Sequence, residues 1–216
     1  MCKKKLFEKN MNFGLSLSPI DGTEHIFGAN LPLIDIPEEY SYKDFMPAIL
    51  NQGAESICVP CSLSTYLNWR ENLADGSKKD NKIDYHEIYG IKTTDGEGMT
   101  FKEAFHYLRH HGVSSKAGNL KINEYALVKN YIALKLALIM NGACLGALPV
   151  YNDRSEFWKK LQGDGFYGYH AISIVGFDKN GFIIRNSWGT GFGKSGYTVL
   201  KYEDFATFLE LWTIVD

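Results

Sequence analysis

The sequence has no surplus of either charge, no long apolar run, and only four cysteines and six prolines in 216 residues. Lys and Arg number 23 against 25 Asp and Glu, a formal net charge of -2. Without a basic surplus, no electrostatic basis exists for a nucleic acid or an anionic membrane as partner. The basic start Met1-Cys2-Lys3-Lys4-Lys5 is not followed by the apolar stretch of a secretory leader, because Glu8, Lys9, Asn10 and Asn12 interrupt it. The longest apolar region, about Ile132 to Pro149, is broken by Lys135 and by Asn141-Gly142 and is too polar to span a bilayer. These absences lead to the expectation of a soluble cytoplasmic protein, encoded by a cell or by a virus in its host. Cys2, Cys58, Cys61 and Cys144 are not spaced as a disulfide framework, and a chain lacking a leader normally keeps its thiols reduced.

What the sequence does have is apolar surface: 45% of residues are hydrophobic and 14% aromatic, enough for one large domain or two lobes. Residues 1–30, rich in Asn, Gly and Ser, read as a short, loosely ordered extension. Leu31 to Tyr40 reads as extended chain, since each proline disfavours helix at the residue before it. The spacing predicts helices over about 59–74, 84–91, 100–111 and 123–141. Pro60 suits the first turn of the first, Asp75-Gly76 ends it, Thr100 caps the third, and Asn141-Gly142 stops the fourth. Strands are expected over 143–150, 171–177, 182–186, 197–202 and 211–215, with Asn180-Gly181 as a hairpin signal. Helices first and strands second imply an α+β fold of two lobes with a cleft between them.

The candidate chemistry lies at the ends of these elements. Cys58 immediately precedes a helix, whose positive end and free N–H groups favour thiolate over thiol. Gln52, six residues upstream, is placed to donate to a developing oxyanion together with the Cys58 N–H. His170 stands where the first hairpin strand starts and Asn186 where the second ends. An antiparallel ribbon brings both to one end, so the carboxamide can hold one imidazole nitrogen while the other faces the thiol.

Gln52-Gly53-Ala54-Glu55-Ser56-Ile57-Cys58, then His170-Ala171, then Asn186-Ser187-Trp188-Gly189-Thr190-Gly191-Phe192-Gly193-Lys194-Ser195-Gly196-Tyr197 together resemble the papain family of cysteine peptidases. The resemblance covers about residues 31–216 and implies a papain-like two-lobed fold. Its lobes would be a helical left lobe (about 50–141) and an antiparallel, barrel-like right lobe (about 142–216 plus 31–49). It implies hydrolysis of polypeptide through an acyl-enzyme, with Cys58 as nucleophile, His170 as acid and base, Asn186 orienting His170, and Gln52 in the oxyanion hole. Trp188 would cover the His170–Asn186 hydrogen bond and border the substrate groove. Gly96-Glu97-Gly98-Met99 falls where the family lines the pocket for the second substrate side chain, making Gly98 and Met99 candidate substrate contacts, or simply the lead-in to the next helix. No metal or organic cofactor is implied. Glu55, Ser56 and Val59 depart from the family pattern around the nucleophile, and Phe192 replaces a tryptophan, which bears on substrate preference. With only about 30 residues before the matching region, three controls are open: an enzyme made active, a regulatory partner or larger assembly, or the short extension acting as a plug.

Two other classes compete. One is a papain-like fold kept for binding or assembly without catalysis. The other takes Cys58-Val59-Pro60-Cys61 as the C-x-x-C of a thiol-disulfide oxidoreductase, but residues 41–57 do not read as the strand of a βαβ unit. Cys61 is otherwise a core residue, Cys144 strand packing and Cys2 an exposed tail residue. His106, His110 and His111 share a helix without an evident further metal ligand.

Overall fold

The computed structural model describes residues 13–28, 34–76, 83–92, 98–115 and 118–216. Cys2, Gly96 and Glu97 lie outside them. The first helix, α1 (Cys58–Asp75), ends at Gly76, whose φ of +63° is the left-handed conformation that closes a helix. Most of α1 is buried, which its many small polar residues allow because their hydroxyls and amides bond locally. Ser62 Oγ donates to Val59 O (2.9 Å), Ser64 Oγ to Ile83 O (3.1 Å) and Asn68 Nδ2 to Ser64 O (2.8 Å). Short α2 (Tyr85–Tyr89) is capped by Asp84, and α3 (Phe101–His110) by Thr100, whose side chain accepts from Glu103 N.

The expected helix over 123–141 is corrected. Residues Glu124–Leu127 form a strand, β4, and the helix α4 is confined to Tyr131–Met140. Asn130, extended at φ -147°, accepts from Ala133 N and separates the two. Pairing of β4 with the C-terminal strand, Leu127 opposite Trp212, supplies long-range hydrogen bonds that outweigh a weak helical preference. Replacing Asn130 by alanine is expected to cost about 1 kcal/mol, read as a lower urea midpoint at unchanged slope.

The remaining strands are β1 (Tyr40–Ser41), β2 (Val113–Ser115), β3 (Gly118–Leu120), β5 (Cys144–Val150), β6 (Gly168–Asp178), β7 (Gly181–Arg185), β8 (Tyr197–Lys201) and β9 (Glu210–Val215). β2 and β3 form a small hairpin that the sequence pattern did not reveal. The main sheet is antiparallel in the order β4-β9-β5-β6-β7-β8, with β1 added to β6. Both faces are covered, which is why β5 is buried throughout. Leu145 and Ala147 face a cluster built with α1 and α3, while Cys144, Leu148 and Val150 face one built with α4. The same alternation runs along β6 until a bulge between Ile174 and Gly176 reverses its phase. Ala171 and Val175 face the first cluster and Ile172 and Ile174 the second, whereas Phe177, past the bulge, faces the second. Gly176 is required there, since a Cβ would overlap the Tyr40 carbonyl of the crossing strand β1. The architecture is α+β, with helices α1 to α3 against one side of the sheet.

Candidate active site

Three parts of the chain converge where α1 meets the sheet. Cys58 is the first residue of α1. His170 is on β6 opposite Leu148, and Asn186 follows the last residue of β7. The turn that brings β6 and β7 together is Lys179-Asn180, fixed by Asp178 Oδ1, which accepts from Asn180 N and Gly181 N. His170 Nε2 donates to Asn186 Oδ1 at 2.7 Å, and that oxygen also accepts from Ser187 N. The pairing fixes the tautomer: an acceptor on Nε2 leaves Nδ1 as the nitrogen free to exchange a proton. Nδ1 is buried with no hydrogen-bond partner among the described residues. Backbone groups of Ala171, the residue after His170, and of Gly14 pull the Cys58 thiol toward thiolate.

Trp188 lies over the imidazole, ring centroids 4.7 Å apart, and Phe157 packs on both Trp188 (4.9 Å) and His170 (5.8 Å). Phe157 comes from the loop between β5 and β6, where no periodicity points to it. Gln52 is buried and spans the two lobes: Ser187 Oγ donates to its Oε1 (2.6 Å), while its Nε2 donates to Glu55 O (3.0 Å). One of its two amide hydrogens is thereby engaged and the second is left for another acceptor.

Residues 13–28 are not loosely arranged. They cross the site. Phe13 packs edge-on against His170 and Trp188, each at 6.2 Å. Gly14 presses on the backbone of Ser56, where a Cβ would overlap the carbonyl. Leu15 runs parallel to Met99: Met99 N donates to Gly14 O (2.9 Å) and Ser16 N to Met99 O (3.1 Å). A Cβ on Gly98 would meet Ser16 Oγ at 2.5 Å. Gly98 and Met99 thus engage the chain's own N-terminal segment, with the Met99 side chain fully buried. Further along, Ser18 N donates to Glu210 Oε1, Lys102 N to Ser18 Oγ and Lys102 Nζ to Glu24 (2.7 Å). Phe27 N and Leu127 O then tie the segment to β4.

Burial sets the electrostatics. Cys58 and His170 are both 0% exposed. Burial pushes the Cys58 thiol up to about 11, against the pull of the backbone donors around it. Burial also pushes His170 down to about 4, against the bond to Asn186. Both shifts penalise the charged form, so the covered pair is neutral thiol and neutral imidazole. Elsewhere, the His106 and His110 rings lie 4.5 Å apart, tilted by 55°, and no three His, Cys, Asp or Glu side chains among the described residues form a metal set. No described helix is long and apolar enough to cross a membrane.

The profile of papain family cysteine proteases matches residues 59–207. The gut-specific cysteine proteinase of Caenorhabditis elegans is 30% identical over 91 residues, 38% of this chain and 27% of the worm protein. The chain therefore aligns with about a quarter of that relative's length. Among solved structures, xylellain, a cysteine protease from Xylella fastidiosa, superposes with a TM-score of 0.77 at 20% identity, covering 95% of this chain and 96% of xylellain. Procathepsin B S9 from Trypanosoma congolense gives 0.74 at 16% identity, covering 94% and 87%. The chain belongs to the papain family of cysteine proteases, and its two-lobed α+β fold is the papain-like one.

Proposed function

We propose that the chain hydrolyses peptide bonds with Cys58 as nucleophile, His170 as acid and base, and Asn186 as the group that orients His170. The observation that carries this reading is the 2.7 Å bond from His170 Nε2 to Asn186 Oδ1. It leaves Nδ1, buried without a hydrogen-bond partner among the described residues, on the residue next to Ala171, whose backbone pulls the Cys58 thiol toward thiolate. With polypeptide in the groove in place of residues 13–18, Nδ1 accepts the thiol proton and the thiolate attacks the scissile carbonyl. The oxyanion takes hydrogen bonds from Cys58 N–H and from the second amide hydrogen of Gln52. His170 then gives its proton to the leaving amine, and later deprotonates the water that releases the acyl group. Trp188 keeps water from the His170–Asn186 bond, and the Gly98–Met99 backbone, which now pairs with Gly14 and Ser16, pairs with substrate.

The N-terminal segment is the control element in this reading: it fills the groove, and it holds the catalytic pair in its uncharged form. The competing reading is a family member retained for binding alone. Alkylation by an iodoacetamide reagent separates the two. With the covering segment weakened by Gly14→Ala, modification of Cys58 is expected to be fast and to slow at least about tenfold on adding His170→Ala, because only the thiolate reacts. Slow labelling indifferent to His170 would establish the binding role instead.

A further inference from the structure

Cys61 is buried, as its sequence context predicts, but it is not part of either apolar cluster. It lines a small, mostly polar cavity behind the site with Thr65, Ser173, Asn186 and Ser187. Apolar packing therefore does not account for a thiol at this position. We propose that Cys61 is a resolving thiol for Cys58, closing an internal disulfide with it when a hydroperoxide oxidises the nucleophile. This rests on the reading of Cys58 as nucleophile.

The geometry favours closure. The two residues occupy the first turn of α1, one turn apart, with Cys61 N donating to Ile57 O at 2.9 Å. Helical residues three apart share a face with Cβ atoms about 5–6 Å apart, and a disulfide needs about 3.8 Å. Tightening the turn to 3₁₀ geometry eclipses positions i and i+3 and closes that gap. The first turn is where such tightening disturbs fewest bonds, since its N–H groups have no helical acceptors, and Pro60 has none to lose. Ala171 is common to both surroundings: its backbone pulls the Cys58 thiol toward thiolate, and it lines the Cys61 cavity. A negative charge on Cys58 raises the Cys61 thiol further, which keeps Cys61 protonated while Cys58 reacts.

The chemistry balances. The Cys58 thiolate attacks the outer oxygen of the hydroperoxide; the O–O bond breaks, leaving sulfenic acid and an alkoxide that is protonated to alcohol. Cys61, losing its proton, attacks the Cys58 sulfur. The S–S bond forms, the S–O bond breaks, and hydroxide leaves with that proton as water. Two thiols and one hydroperoxide become a disulfide, an alcohol and water. A dithiol reductant reverses it, whereas a second peroxide on the sulfenic acid gives sulfinic acid, which it cannot reverse.

The test treats the full chain with hydrogen peroxide and follows the peptide containing both cysteines by non-reducing mass spectrometry. Wild type is expected to lose about 2 Da, reversibly with dithiothreitol, and to regain at least about ten times more activity than Cys61→Ser, whose peptide gains about 32 Da as sulfinic acid. Cys144→Ser is expected to behave as wild type. If wild type gains 32 Da at the rate of Cys61→Ser, with no loss of 2 Da, the resolving role is overturned while Cys58 remains a nucleophile. If Cys58 is not oxidised even in Gly14→Ala, where the covering segment is weakened, the nucleophile reading falls and takes the proposal with it. The mass readout in wild type stands even if Cys61→Ser folds poorly.

Discussion

Cys58→Ala is expected to lower kcat/KM on a fluorogenic peptide by at least about 10⁴-fold, and His170→Ala by a similar factor, with the double variant scarcely worse than either single one. Nucleophile and base act as one unit, so removing either forfeits nearly the whole advantage of covalent catalysis. Cys58 begins a helix, which favours thiolate, but that preference becomes reactivity only when a base takes the proton. Asn186→Ala is expected to cost less, on the order of 10–10²-fold, with kcat carrying the loss, because it frees the imidazole to rotate without removing the reacting groups. The three variants should keep the wild-type far-UV spectrum, since Cys58 and His170 replaced by alanine lose few apolar contacts. Equal activity of wild type and Cys58→Ala would end the peptidase reading, whatever the fold.

That ordering draws on features legible at very different levels. Asn186-Ser187-Trp188-Gly189 and the turn at Asn180-Gly181 are local: a tight turn and a rare run of residues identify themselves without knowledge of what packs on them. So does α1, whose first turn, holding Pro60, and stop at Gly76 are both written in backbone chemistry. Glu124–Leu127 reads as helix because its neighbours continue a helical spacing, and only its pairing with β9 decides otherwise. Cys61 shows the same limit. Helical spacing says which face it is on, not that the opposing surface is a polar cavity made by β6 and β7. Residues 13–18 were the hardest. Phe13, Leu15 and Leu17 alternate with Gly14, Ser16 and Ser18, but only the cleft decides that Leu15 is buried and Leu17 exposed. Of the three controls, the plug is the one this placement favours, with Leu15, buried to 5% exposure against Met99, as the anchor.

Gly14→Ala should therefore raise activity. The new methyl group would overlap the Ser56 carbonyl, and the backbone of α1's approach cannot yield without moving Cys58, so the segment must lift. Each 1.4 kcal/mol taken from the covered state shifts its population tenfold, and a rise of about tenfold in kcat/KM and in the rate of Cys58 alkylation is expected, with a chain beginning at Leu31 rising at least as far. Equal rates for wild type and both variants would show that the segment does not limit access. The same equilibrium carries a pH signature whose sign follows from the two burial shifts. His170 is pushed from 6.5 to about 4 under the segment, so as pH falls through that window the uncovered state binds a proton that the covered one refuses, and cover is lost. Cys58 is pushed from 9.0 to about 11; as pH rises through that window the uncovered state releases a proton that the covered one keeps, and cover is lost again. The segment should hold best between about pH 6.5 and 9. Hydrogen exchange at the Ser16 and Met99 amides, which clamp it to the groove, measures this directly once intrinsic rates are divided out. Protection that is flat from pH 4 to 11 would mean that the cover and the charge state of the Cys58–His170 pair are not linked.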